Sequence, residues 1–396
     1  DTLRTVSLPG LTQDSVQTQV QSVSPLFTQR GKPQRINAMH FDLRPLRTLH
    51  DRLYAPIADH LPADRPLTVI PDGPMFHVPY SMLASATPGG RYDHADARFV
   101  LHERATTLDL ASSMVVDKST TAFDPATFSP TLAAFGVSTF DTLQTIPSAL
   151  RATLPETTSD STLKLPPLPG VRAEIDALSR VVGDVATFFD DDATESAFAS
   201  ACRRAGVVHL ASHAFVHPSY PLQNAFLLRP DTASDGVLFL HELQSRDRTL
   251  PLAVLSGCST ARGTLRGGEG MAGLQYAFRA MGAQSTVSNL WPTADQPSVA
   301  LMENFYRNLR ADLSKDRALR QAKLTYLESH PNKASPFFWG PSVLYGSPQP
   351  VPLEPPEATS TWPWWLPILA VLALFVGVLL WRLSRPAEAS TRQAAS

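Results

Sequence analysis

The sequence predicts an α/β protein: a parallel-dominated sheet flanked by helices on both faces, plus a transmembrane helix near the C-terminus. Three observations predict it. From residue 171 to 344, short apolar runs alternate with amphipathic stretches, the pattern of a sheet built from β–α units. Two of those runs, Val207–His213 and Leu252–Cys258, are continuously apolar and close in small or polar residues, which suits strands covered on both sides. The third is the uncharged run Leu366–Leu380, bracketed by tryptophans.

The elements follow in order. Residues 1–38 are polar, Gln- and Ser-rich and weakly periodic, and read as a loose N-terminal arm. The main domain is expected over 39–346. A helix from Leu43 to His60 starts beside Pro45 and carries Leu46, Leu49, Leu53 and Ile57 on one face. Strand Leu67–Ile70 is broken by the turn Pro71-Asp72-Gly73-Pro74, and Phe76–Leu83 packs back on the sheet. Another strand is expected at Leu132–Val137, then a Thr-, Ser- and Pro-rich insertion over 138–169. Regular alternation follows: helix Val171–Val182, strand Ala186–Phe189, helix Thr194–Ala205, and a strand ending at His213. A long loop leads to the strand ending at Cys258, helix Glu269–Met281, strand Gln284–Leu290, helices Gln296–Arg310 and Asp316–Glu328, and a last apolar run Phe337–Leu344.

Residues 347–361 hold five prolines between Pro348 and Pro356 and form an extended, semi-rigid spacer of at most ~45 Å. The segment 362–382 is long enough to cross a bilayer, with Trp362, Trp364, Trp365 and Trp381 at its two ends. A short polar tail, 383–396, follows. Arg382, Arg385 and Arg392, which follow the apolar run, would by the positive-inside rule put the tail in the cytoplasm and the domain outside. That arrangement needs a signal sequence, and none is visible. The expectation is therefore a single-pass, tail-anchored protein with its domain in the cytoplasm.

A formal net charge of −2 with no basic stripe argues against nucleic acid as a partner. The only cysteines, Cys202 and Cys258, leave no room for a disulfide framework or a Cys-rich zinc site. No metal or cofactor is expected.

In open α/β sheets, reacting groups gather beyond the carboxyl ends of the strands. His213 and Cys258 fall there on two expected strands and form a base and a nucleophile. A thiol needs such a base to react near neutral pH. Backbone N–H groups of Ala214 and Cys258 are placed to receive an oxyanion. Glu269 and Asp295 open expected helices and are either caps or substrate-pocket residues. His209 reads as a packed core histidine and Cys202 as a core thiol of an amphipathic helix. The glycines around Gly267-Gly268-Glu269-Gly270 lack the Lys-Ser/Thr pair of a phosphate loop.

Several of these segments together resemble one family. His209-Leu210-Ala211-Ser212-His213, Leu255-Ser256-Gly257-Cys258-Ser259-Thr260, Leu265-Arg266-Gly267-Gly268-Glu269-Gly270 and Asn289-Leu290-Trp291-Pro292 are similar to the CHAT family of caspase-like cysteine peptidases. Its relatives include caspases, separases and gingipain-type enzymes. Ile70-Pro71-Asp72-Gly73-Pro74, Leu168-Pro169-Gly170 and Phe338-Trp339-Gly340-Pro341 fit the same pattern, so the resemblance spans Leu43 to Gly346. It implies a caspase-like fold and a Cys258–His213 dyad with an oxyanion hole from the amides of Cys258 and Ala214. It further implies protein substrates, a regulatory protein partner and a place in bacterial signalling or defence. Two departures stand out. Ala214 occupies a position often held by Gly, and the acid pair often found after Leu-Trp-Pro is reduced to Asp295, with Ala294 before it. The helical repeats that often stand ahead of the domain in that family are not visible in this sequence, so that module is absent or was cut away. The competing expectation is a catalytically silent, membrane-tethered adaptor that uses the same fold to bind proteins.

Overall fold

The computed structural model describes residues 5–8, 12–23, 41–63, 65–109, 128–129, 131–140, 165–215, 223–244, 250–257, 263–266, 270–291, 295–351, 353 and 365–383. It comprises two compact units, Asp1–Pro355 and Pro356–Ser396.

The first unit is built on an eight-stranded sheet. Its strands are β1 (Leu67–Val69), β2 (Thr106–Leu108), β3 (Leu132–Gly136), β4 (Val185–Phe189), β5 (Val207–Ala211), β6 (Leu252–Leu255), β7 (Ser285–Asn289) and β8 (Ser342–Gly346). Their spatial order is β1-β2-β8-β7-β6-β5-β3-β4. Five strands from β4 to β7 run parallel. β8 then pairs antiparallel with β7, and β2 and β1 follow the direction of β8. The sheet is thus parallel-dominated, as expected, but is two parallel blocks meeting back to front at the β7–β8 seam. An apolar run such as Phe337–Leu344 carries no direction, so the sequence pattern did not show the reversal.

Helices cover both faces. The principal ones are α1 (Gln13–Val23), α2 (Gly170–Val181), α3 (Glu195–Arg204), α4 (Leu274–Ala280), α5 (Asp295–Arg310) and α6 (Lys315–Ser329). Successive side chains of a strand point to opposite faces, and the core divides accordingly. Leu132, Ala134, Val207, Ala211, Leu252 and Val254 pack with Ile175 and Leu178 of α2 and Leu301, Phe305 and Tyr306 of α5. Ala133, Phe135, Val208, Leu210, Ala253 and Leu255 pack instead with Phe198 and Cys202 of α3 and Leu274 and Phe278 of α4. This two-sided burial is why β5 and β6 are apolar at every step but one. Gly136 lets α2 approach β3 closely: a Cβ there would stand 2.8 Å from Val171 Cγ1 and 3.0 Å from Ile175 Cγ1.

Four expectations change. The N-terminal arm contains α1, whose Val16 is buried and whose Val20 packs on the main core; one turn of spacing between two valines was too faint a stripe to read. The loop after His213 holds a small antiparallel sheet of Ala214–Phe215, Ala225–Leu227 and Val237–Phe239, built from strands too short to show periodicity. The helix expected from Glu269 begins at Leu274; the glycine-rich stretch before it forms a two-stranded ribbon, Gly263–Arg266 with Gly270–Gly273. The helix from Leu43 passes through a π-turn at His50–Tyr54 before Ala55–Ala58.

The second unit contains helix α7, Trp365–Leu383. Among the described residues, no helix is long and apolar enough to cross a membrane. Side chains of α7 are described for 371–381, and all are exposed. The bilayer-spanning helix expected at 362–382 is not found among the described residues.

Candidate active site

The site grows from two neighbouring strand ends. β5 and β6 pair in parallel with Leu210 opposite Leu255, and the ladder continues one step through the Ser256 N–H to the Leu210 carbonyl at 2.9 Å. Three residues beyond Leu210 is His213, and three beyond Leu255 is Cys258. Cys258 itself lies outside the described residues, as does Glu269. The structure describes the chain up to Gly257, which stands hard against the His213 turn. A Cβ on Gly257 would lie 2.7 Å from the Ser212 carbonyl oxygen and 3.2 Å from the Ala214 Cβ, the residues flanking His213. Only glycine allows the two strand exits to approach this closely.

Two contacts hold the His213 ring. Its Nε2 lies 2.9 Å from the Pro166 carbonyl oxygen. A carbonyl only accepts, so Nε2 carries the hydrogen and Nδ1 offers its lone pair. The Phe140 ring leans on the imidazole at 4.7 Å between centroids. Burial lowers the His213 pKa from its ordinary value, and the Pro166 carbonyl pulls partly the other way. A neutral, tautomerically fixed imidazole results near pH 7.

Both neighbours of His213 are themselves anchored. Asp190, just past β4, accepts the Ser138 N–H at 2.7 Å and its hydroxyl at 2.9 Å, while the Leu168 N–H donates to the Ser138 carbonyl at 2.8 Å. One carboxylate thus fixes the turn that leads to Phe140, and that turn holds Leu168, two residues after Pro166. On the other side, the Leu227 N–H donates to the His213 carbonyl at 3.0 Å, with Ala214 opposite Phe226. Ala214 therefore occupies a non-hydrogen-bonded pair, where its own N–H turns away from the partner strand.

The last residue of β7, Asn289, points its side-chain amide at the Gly257 carbonyl, 3.5 Å away, and accepts from the Ser342 hydroxyl at 2.8 Å. Asp295 opens α5; its backbone is described and its side chain is not. Among the described residues, no group of three or more His, Cys, Asp or Glu side chains gathers as a metal site.

His209 is fully buried, as the sequence suggests, but it is not packed among apolar groups alone. Its Nε2 stands 3.1 Å from a Glu174 carboxylate oxygen, off the angle of a good hydrogen bond, and its Nδ1 lies 3.2 Å from the Tyr306 hydroxyl. Sequence reasoning missed Glu174 and the Pro166 carbonyl. Glu174 lies on the buried face of α2, breaking its apolar stripe, and that was its only signal. A backbone carbonyl has none.

This strand-end geometry occurs within a recognisable domain: the CHAT domain family matches residues 43–347. The chain belongs to the CHAT domain family. The matched span takes in every strand of the eight-stranded sheet and leaves α1 and α7 outside it. Human tetratricopeptide repeat protein 28 is 24% identical over 378 residues, a match covering 83% of this chain and 14% of that protein, so the chain spans a small part of its relative. Among solved structures, the complex of Porphyromonas gingivalis RgpB pro- and mature domains is similar with a TM-score of 0.45 and 10% identity, covering 87% of this chain and 78% of that one. The Saccharomyces cerevisiae separase–securin complex is similar with a TM-score of 0.38 and 12% identity over 62% of this chain and 14% of that one. In this CHAT domain, then, the described half of the candidate site is His213 with its supports, and the approach to Cys258 ends at Gly257.

Proposed function

We propose that this CHAT domain is a cysteine endopeptidase acting on protein substrates through Cys258 and His213. In the first step the Cys258 sulfur bonds to the peptide carbonyl carbon, its proton passes to His213 Nδ1, and the carbonyl π-electrons move to oxygen. The N–H groups of Cys258 and Ala214 receive that oxyanion. On collapse the C–N bond breaks and the amine leaves with the proton from His213. Water then attacks the thioester, again giving its proton to His213, and the acid departs as the thiol is restored. Pocket roles for Glu269 and Asp295 belong to the same proposal.

The observation that carries the reading is the fixed His213 tautomer just past β5, beside the strand whose chain leads on to Cys258. It leaves Nδ1 as the only ring nitrogen free to act as base. The test is hydrolysis of a fluorogenic peptide library by the full chain. Turnover that disappears in Cys258→Ala and in His213→Ala supports the reading; turnover unchanged by Cys258→Ala defeats it. A folded wild type that binds protein partners but cleaves nothing is the adaptor instead.

We also propose that residues 362–382 tether the domain to a membrane. Support comes from the uncharged sequence between the tryptophans and from the exposed Leu372, Leu374, Phe375 and Leu379 of α7. Flotation with lipid vesicles tests it: the full chain floats, and the double variant Leu374→Arg/Leu379→Arg stays in the soluble fraction. Equal behaviour of the two removes the tether from the account.

A further inference from the structure

Beneath the turn that leads to Cys258 lies a buried polar cluster that the reaction above does not use. The Glu174 side chain, on α2, is only 6% exposed. One of its oxygens accepts the Ser256 hydroxyl at 2.6 Å and faces His209; the other is 3.4 Å from the Ser298 hydroxyl on α5. His209 is in turn braced by Tyr306, also from α5. The cluster therefore joins α2, α5, β5 and the exit of β6.

A buried carboxylate is a costly way to fill space. Removing it from water costs several kcal/mol unless partners compensate, and well-packed apolar residues often serve stability as well or better. The other buried residues of α2, Val171, Ile175, Ala177, Leu178 and Val181, are all apolar, so packing alone does not call for an acid. What the carboxylate does hold is Ser256. That residue extends the ladder one step past β6, and a Cβ on its successor, Gly257, would collide with the residues on either side of His213. With so little room, a rotation at Ser256 would alter the spacing between the two strand exits.

We propose that Glu174 is a positioning residue: by gripping the Ser256 hydroxyl it sets the β6 exit and hence the placement of Cys258 against His213. This rests on the peptidase reading and names the group that keeps its dyad aligned. His209 and Ser298 hold the carboxylate in place, and Gly136 allows α2 to come near enough to deliver it.

The experiment compares full-length wild type, Ser256→Ala, Glu174→Gln and Glu174→Ala by peptide turnover, rate of Cys258 alkylation by iodoacetamide, and thermal melting. Ser256→Ala removes only the gripped hydroxyl; it is expected to stay folded, with KM little changed and kcat lowered roughly 10–100-fold. Cys258 alkylation slows in parallel. Glu174→Gln keeps an oxygen that accepts the Ser256 proton and recovers most of the loss seen in Glu174→Ala. A merely structural acid would lower the melting temperature without this kcat-against-KM split or rescue. Unchanged kcat in Ser256→Ala overturns the proposal, as does Glu174→Gln performing no better than Glu174→Ala. Should wild type cleave no peptide, the peptidase reading fails, and alkylation decides alone: slower in Ser256→Ala supports the positioning role, equal rates overturn it.

Discussion

His213 Nε2 donates to the Pro166 carbonyl across 2.9 Å, so a loop 47 residues upstream decides which imidazole nitrogen stays free. Much of the chemistry proposed for the domain depends on this one bond. Proline at 166 and proline at 167 stiffen the segment that presents the carbonyl.

The first prediction concerns pH. Burial depresses the His213 pKa, so the acid limb of kcat/KM should lie below the ordinary histidine value of about 6.5. Phe140→Ala strips the ring from the imidazole and lets water in, which favours the charged form. The acid limb should then move upward, read from the pH–rate profile or from the histidine NMR titration. Stability follows the same sign. The unfolded chain binds a proton at higher pH than the folded one, so the His213 contribution is intact above about 6.5 and is lost as pH falls through the lower folded value.

Gly257→Ala should be disabling. The added Cβ meets the Ser212 backbone carbonyl at 2.7 Å, and a backbone atom has nowhere to retreat. A loss of about 1–3 kcal/mol in denaturant unfolding is expected, together with a fall in turnover larger than any change in KM.

Asp190→Ala should loosen the loop that carries Phe140. The carboxylate binds both the N–H and the hydroxyl of Ser138, and Asp190 holds a left-handed backbone at φ 45°. Losing those bonds while keeping a Cβ in that conformation should cost about 1–3 kcal/mol. Urea unfolding measures it. Proteolytic nicking near residue 140 should rise in step.

Far from the strand ends, Lys315 offers an independent check of the core. Its ammonium is fully buried against the Pro251 carbonyl at 3.0 Å and the Ser285 hydroxyl at 2.8 Å, and burial brings its pKa down to about 7, with Arg279 adding repulsion and Asp316 opposing. The unfolded lysine keeps its proton to about 10.4. Folding therefore favours deprotonation between these values, and stability should rise with pH from about 7 to about 10. Lys315→Met should flatten that rise in unfolding curves measured across the range.

How far the sequence alone carries is clear from particular elements. β5 and β6 were legible because burial on both faces demands apolar residues at nearly every position, and their ends pointed to His213 and Cys258. The β7–β8 reversal was not legible, since apolarity is blind to strand direction. Gly270–Gly273, a strand of the ribbon, falls inside the helix expected from Glu269, because glycines and one acid before an apolar stretch look like a helix start. The supports of His213 were hidden for a different reason. Pro166 and Phe140 reach it from two separate loops, Asp190 acts on it only through Ser138, and Pro166 uses a backbone oxygen that every residue possesses. Glu174 stands 82 positions from the Ser256 it grips, beyond any local pattern.

The most direct test of the dyad is covalent capture. The full chain is treated with a peptide bearing a thiol-directed electrophile and weighed intact by mass spectrometry, alongside Cys258→Ala and His213→Ala. Cys202 is buried on α3 and should stay unreacted. Wild type should carry one adduct and Cys258→Ala none, and His213→Ala should react much more slowly. Equal labelling of wild type and Cys258→Ala would contradict the dyad.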